Sequence, residues 1–285
     1  MKTGVVYPQI ELQGDPEAVR RFGRAAEDLG YDHINAYDHV LGAVHADRTP
    51  PLTGPYTERD PFHDPLIMFA YLAGLTDRIE LASSVLVLPQ RQTALVARQA
   101  ADLDLMSGGR FRLGVGTGWN YAEYDALGQH YTARGRRLDE QIPLLRRLWT
   151  EPLVSFEGAF HRLDRVALNP RPRRSIPIWM GGRTEVAFRR AGQQGDGFMF
   201  IGDLDRANEG WDRIRHHLQQ AGRDPESFGR DITTPPLDAA RVRDMVMRWR
   251  DAGGTHATIG TIGRGLTTVE AHIDFIAQMK RLLDG

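Results

Sequence analysis

Several stretches of this chain carry residue types and spacings that could do chemistry. Asp38-His39 is the first. A histidine can give or take a proton near neutral pH, and an adjacent acid can orient it or bind elsewhere. A loop histidine held by a backbone carbonyl is the plainer alternative. The second stretch is residues 110–128, where a short apolar run meets Gly114, Gly116 and Gly118 and then Trp119, Asn120, Tyr121 and Glu123. Glycines without a Cβ let the backbone approach something flat or charged. Gly-Val-Gly-Thr-Gly lacks the glycine spacing of a dinucleotide fingerprint and the lysine of a Walker loop. The third is Gly181-Gly182-Arg183-Thr184 ahead of a helix. Free N–H groups, a helix N-terminus and a guanidinium together suit a phosphate, and a tight loop capped by Thr184 is the alternative. After the last strand, Arg264 could reach an anion or be an ordinary loop arginine.

The elements that must position these residues alternate along the chain. Strands are expected at Thr3–Tyr7, His33–Ala36, Ile79–Ser84, Phe111–Val115, Pro177–Met180 and Phe198–Ile201, weakly at Asp231–Thr234, and at Thr255–Gly260. Helices are expected at Asp15–Leu29, Pro65–Leu75, Gln92–Met106, Thr132–Trp149, Thr184–Gln194, Asp205–Ala221, Asp238–Ala252 and Thr268–Leu283. Asp15 as N-cap, Pro16 in the first turn and Gly30 as C-cap bound the first helix. Pro143 is expected to kink the fourth. Eight strands each followed by a helix imply parallel pairing through crossovers, and an α/β fold of the (β/α)8 TIM barrel type in one domain spanning 1–285. A doubly wound open sheet would place its glycine-rich turn after the first strand rather than the fourth. In a barrel the chemistry lies at the C-terminal ends of the strands, which is where every stretch above falls. Two insertions break the rhythm. Leu41–Asp64, with Pro50, Pro51, Pro55 and Pro61, follows strand two, and Val154–Arg174, with hairpin-like Phe156–Phe160, follows helix four. Long loops of this kind in compact domains serve as lids or binding loops.

Composition narrows the classes. The 285 residues carry 36 basic and 37 acidic side chains for a net charge of −1, so no footprint for nucleic acid is present. No apolar run reaches membrane-spanning length. Cysteine is absent, which excludes thiol catalysis and iron–sulfur ligation. The only lysines are Lys2 and Lys280, so no internal lysine is available for Schiff-base or pyridoxal-phosphate chemistry. The first strand lacks a His-x-His pair, and no metal site is expected. These features suit a cytoplasmic enzyme.

Taken together, Tyr31-Asp32-His33-Ile34 running into Asp38-His39-Val40, Gly109 through Trp119, Phe156-Glu157-Gly158, Leu168 through Pro172 and Pro177 through Gly182 resemble the luciferase-like monooxygenase family over nearly the whole chain. The resemblance is greatest to the branch that uses the deazaflavin coenzyme F420. It implies an oxidoreductase transferring hydride between F420 and a small organic substrate, with an FMN-dependent two-component monooxygenase as the alternative. It further implies that His39 sits at the reactive carbon with Asp38 beside it, and that Ser84-Val85 forms a non-proline cis peptide behind the ring. By the same resemblance Gly116, Thr117, Gly118 and Asn120 line the cofactor's tail, Glu123 joins the cofactor site, and Gly181, Gly182 and Arg183 bind phosphate. It also implies a homodimer, and the sequence departs from the family pattern in a shorter seventh strand region, Phe228–Pro236.

Overall fold

The computed structural model describes residues 1–285. Its strands are β1 (Lys2–Val6), β2 (His33–Ala36), β3 (Glu80–Ser83), β4 (Leu86–Val87), β5 (Phe111–Gly116), β6 (Val154–Glu157), β7 (Arg162–Val166), β8 (Ile178–Gly181), β9 (Gly197–Ile201), β10 (Gly229–Thr233) and β11 (His256–Ile259). Its helices are α1 (Pro16–Asp28), α2 (Pro65–Ala73), α3 (Thr93–Met106), α4 (Tyr121–Ala126), α5 (Arg134–Thr150), α6 (Glu185–Gln194), α7 (Leu204–Gln220), α8 (Ala239–Asp251) and α9 (Val269–Asp284).

The strands run β3-β2-β1-β11-β10-β9-β8-β5 in parallel, and β3 also pairs with β5, so the sheet closes into an eight-stranded barrel. This is the TIM-barrel fold expected from the alternation. Helix N-caps set many of the boundaries. Asp15, Asp64, Thr184, Asp203, Asp238 and Thr268 each accept a backbone N–H of the first turn with their own side chain. The face that α1 turns to the barrel is Ala18, Val19, Phe22 and Ala26, all buried. Truncating Phe22 to alanine there would cost about 3–5 kcal/mol.

Two expectations are corrected. The seventh barrel strand, β10, spans Gly229–Thr233 rather than Asp231–Thr234, and its five residues pair in full with β9. Helix α5 starts at Arg134, after a 3-10 turn at Tyr131–Ala133, and runs on through Pro143.

The insertion after α5 is the antiparallel pair β6–β7. Glu140 of α5 pins its turn by accepting the N–H groups of Ala159 and Phe160 and by pairing with His161 Nδ1 at 2.7 Å.

The lower half of the barrel holds a sealed polar cluster that sequence reasoning missed. His33, Asn35, Arg112, Asp231 and Thr258 are all essentially inaccessible. Thr258 Oγ1 donates to Asp231 and lies 2.7 Å from His33 Nε2. The Arg112 guanidinium covers the Trp179 ring at 4.1 Å. Gly4 has no side chain because the His33 ring occupies that space, 2.2 Å from where a Cβ would stand.

Candidate active site

The upper rim of the barrel is built around a break in one strand. β3 pairs Ala82 with Arg112, and pairing resumes with Leu86 opposite Val115. Four steps on one side match three on the other, so one extra residue is accommodated as a bulge. The peptide Ser84-Val85 is cis, as the resemblance implied. The bulge turns Val85 toward Ala82, Trp179 and Met199.

The glycines of this region are explained by that bulge. A Cβ on Gly116 would stand 2.5 Å from Val85, and one on Gly181 2.9 Å from it. A Cβ on Gly114 would meet the Ser83 carbonyl at 2.0 Å, and one on Gly118 would meet Val87 at 2.7 Å. Gly118 also has a φ of +63°, a conformation glycine adopts without penalty. The object that approaches the side-chain faces of Gly114, Gly116 and Gly118 is therefore this chain's own 83–87 segment. On these faces the missing Cβ atoms make room for the chain itself.

Asp38 belongs to the same construction. Its buried carboxylate accepts the Val87 N–H at 2.8 Å and meets Arg91 at 2.6 Å, and Arg91 also binds Asp64 at 2.8 Å. It makes no hydrogen bond to His39. Asp38 ties β2's end to β4 and, through Arg91, to the start of α2.

The partner of His39 comes from elsewhere. Glu123 Oε2 lies 3.2 Å from His39 Nδ1, while Oε1 accepts the N–H groups of Val40 and Leu41, the latter at 3.2 Å. Burial alone would push this carboxyl up. The hydrogen bonds from His39, Val40 and Leu41 outweigh that and hold it below its ordinary value. Glu123 thus clamps the entry to the 41–64 insertion. Asn120 is likewise engaged. Its carbonyl oxygen caps α4 at the Glu123 N–H, and its amide donates to the Leu41 carbonyl at 3.3 Å.

The insertion folds down over His39. Rings of Tyr56 and Phe62 pack edgewise on the imidazole at 5.3 and 5.0 Å, and Trp119 does so from the far side at 5.4 Å. The His39 side chain keeps 9% of its accessibility. The Tyr121 hydroxyl donates to the Pro50 carbonyl, and Asp64 anchors the far end through Arg91. The insertion is therefore seated at both ends and in its middle.

Beside this region lies a cavity of about 340 Å³ at the ends of β5 and β8. Thr117, Gly181, Gly182, Arg183, Arg134 and Arg190 are among its walls. The Nε of Arg134 is buried without a partner. A second cavity, of about 400 Å³, shares Gly182 and Arg183 and continues to Arg206 and Arg213 of α7. Arg183, Arg134, the glycine backbone and the N-terminus of α6 together form a donor set suited to a phosphate, while Arg190 is held by Asp139 and Arg213 by Glu185. Arg134 was missed in the sequence. Its signal was the arginine-rich start of α5, which reads equally as a solvated helix face. His39 does not line either cavity, and Arg264 is spent on the carbonyls of Gly260, Leu237 and Pro235. No group of histidines and acids is arranged to hold a metal ion.

Comparison with known proteins agrees with this geometry. Residues 2–252 match the family model described as luciferase-like monooxygenase. An uncharacterized protein of Mycobacterium tuberculosis (strain H37Rv) is 33% identical over 242 residues, covering 83% of this chain and 82% of its own. The F420-dependent glucose-6-phosphate dehydrogenase of Amycolatopsis mediterranei is 30% identical over 199 residues, which is 68% of this chain and 56% of that protein. Among solved structures, an F420-dependent secondary alcohol dehydrogenase in complex with an F420–acetone adduct superposes with a TM-score of 0.80. It is 18% identical and covers 99% of both chains, a likeness of fold. With most of its length matched and the barrel, bulge and cationic rim in place, the chain belongs to the luciferase-like monooxygenase family of oxidoreductases.

Proposed function

We propose that this protein transfers hydride between coenzyme F420 and a small organic substrate, with His39 moving the accompanying proton. The observation that carries the reading is the cationic cavity of Thr117, Arg134, Gly181, Gly182 and Arg183 at the rim beside the Ser84-Val85 bulge. Such a site would hold the phosphate-bearing tail of a deazaflavin or flavin through Thr117, Arg134, Gly181, Gly182 and Arg183. The Oγ of Ser84, buried without a partner, offers a further hydrogen bond at the bulge. A deazaflavin or flavin, when bound, supplies the redox chemistry, and the protein supplies position and electrostatics. His39 holds or releases a proton at Nε2, and the Tyr56, Phe62 and Trp119 rings exclude water from it. FMN carries the same kind of ring and a phosphate, so a flavin monooxygenase is the second reading, in keeping with the family's name.

Spectral titration of the purified protein with F420 and with FMN tests this. Saturable F420 binding at lower concentration than FMN supports the first reading, and the reverse order supports the second. Binding of neither overturns both. We further propose a cytoplasmic homodimer. Its interface would be the adjoining faces of α2 and α3, where Ile67, Tyr71, Leu95 and Met106 are 66%, 45%, 53% and 73% exposed. Ile67→Glu would then yield monomers by sedimentation.

A further inference from the structure

His39 and Glu123 stand far apart in sequence, and their contact decides which nitrogen of the imidazole can react. We infer that Glu123 is a positioning residue that fixes His39 as the Nδ1–H tautomer and so reserves Nε2, as a proton acceptor, for the substrate. The inference rests on the site proposed above and deepens it.

The reasoning starts from lone pairs. An ionised carboxylate only accepts hydrogen bonds. Glu123 Oε1 already receives the N–H groups of Val40 and Leu41, neither of which can do anything but donate. Its other oxygen faces His39 Nδ1 at 3.2 Å. A carboxylate with backbone donors on one oxygen is held in its charged form, so Nδ1 must carry the hydrogen across that contact. In a neutral imidazole the remaining nitrogen is then the acceptor. His39 Nε2 makes no hydrogen bond to the protein, whereas the nitrogen facing Glu123 does.

Rotation of the ring, which would exchange the two nitrogens, is opposed on its remaining sides. Tyr56, Phe62 and Trp119 all meet it edge to face. The carboxylate is fixed in turn. Asn120 holds the Glu123 N–H and the Leu41 carbonyl, so α4 and the residue-39–41 segment move as one piece. When Nε2 takes a proton, the resulting imidazolium faces a buried anion that needs no reorganisation to receive it. Asp38, although adjacent in sequence, cannot serve this purpose because Arg91 and the Val87 N–H hold its oxygens.

The substitution Glu123→Gln makes a specific prediction. Val40 and Leu41 still require an acceptor, so the amide oxygen takes the Oε1 place and the NH2 group lands opposite His39. The amide then donates to Nδ1, and the ring proton must move to Nε2. Two-bond 1H–15N NMR of the imidazoles reads this directly on the full-length protein, with His39→Gln assigning the resonance. At a pH where His39 is neutral, the wild type is expected to show a protonated Nδ1 and a bare Nε2. Glu123→Gln is expected to show the reverse. An Nε2–H ring in the wild type, or an unchanged tautomer in Glu123→Gln, overturns the assignment. If Glu123→Gln does not fold, the wild-type spectrum still decides. The spectrum is taken without cofactor, so loss of F420 and FMN binding would overturn the function proposed above and not this assignment.

Discussion

The two halves of the barrel bury charge in opposite ways. In the lower half His33, Asn35, Arg112, Asp231 and Thr258 are gathered in a sealed space, where Thr258 bonds His33, Asn35 and Asp231. In the upper half His39 is fixed by Glu123 on one nitrogen and left without a protein partner on the other, and Arg183 lines an open cavity. A cluster sealed from solvent can specify packing, while a group left facing open space can bind or react. The division agrees with the general pattern in which one end of such barrels serves stability and the other serves chemistry.

The comparison breaks most readily at Arg112. Arg112→Ala leaves Asp231 buried without its compensating charge and is expected to cost about 3–5 kcal/mol in denaturant unfolding. A loss within 1 kcal/mol would mean that the lower cluster is not a stabilising unit. Arg183→Ala acts on the other half. It should weaken F420 binding by 1.5–3 kcal/mol, roughly 10- to 150-fold, with the unfolding midpoint nearly unchanged. Equal loss of stability and affinity would erase the distinction between the two regions.

Acid should also separate the halves. Burial, with Arg112 beside them, pushes His33 well down and lowers His256 to about 2, so both stay neutral when folded. Unfolded histidine titrates near 6.5. The stability these groups contribute is complete above that value and falls below it, because the unfolded chain then binds protons that the folded one refuses. Each would remove up to about 1.4 kcal/mol per pH unit in thermal melts between pH 6 and 4. His256→Asn should flatten that slope. His39→Asn removes a buried ring and its hydrogen bond to Glu123, so about 1–3 kcal/mol is expected in unfolding, with turnover falling by about 10²–10⁴. A turnover unchanged by this substitution would remove His39 from the chemistry.

Much of the scaffold was legible because the chain marks its own boundaries. Asp15-Pro16, Asp64-Pro65 and Thr184 announce helix starts by capping chemistry that acts within a few residues. The rim loops followed from strand order. Contacts between distant residues were not legible. Nothing local links Glu123 to His39, and Asp38 looked like the natural partner only because it is adjacent. The glycines of 114–118 announced a close approach without saying what approached. The lower cluster did leave a trace: His33 and Asn35 alternate with apolar residues in β2, as do His256 and Thr258 in β11, with the polar side chains inward. An apolar alternation would have read as barrel wall, and the polar one was passed over.

Arg91 gives the insertion a particular evolutionary freedom. It grips Asp38 before the loop and Asp64 after it, so a single guanidinium staples the two ends together on the barrel side. The stapled ends hold the strand and helix in register while the chain between them varies. Within residues 40–63 the positions free to vary are those outside the contacts with His39, Asn120, Tyr121 and Glu123. New substrates would then be reached through changes at those positions, with the barrel and the cofactor rim inherited unchanged.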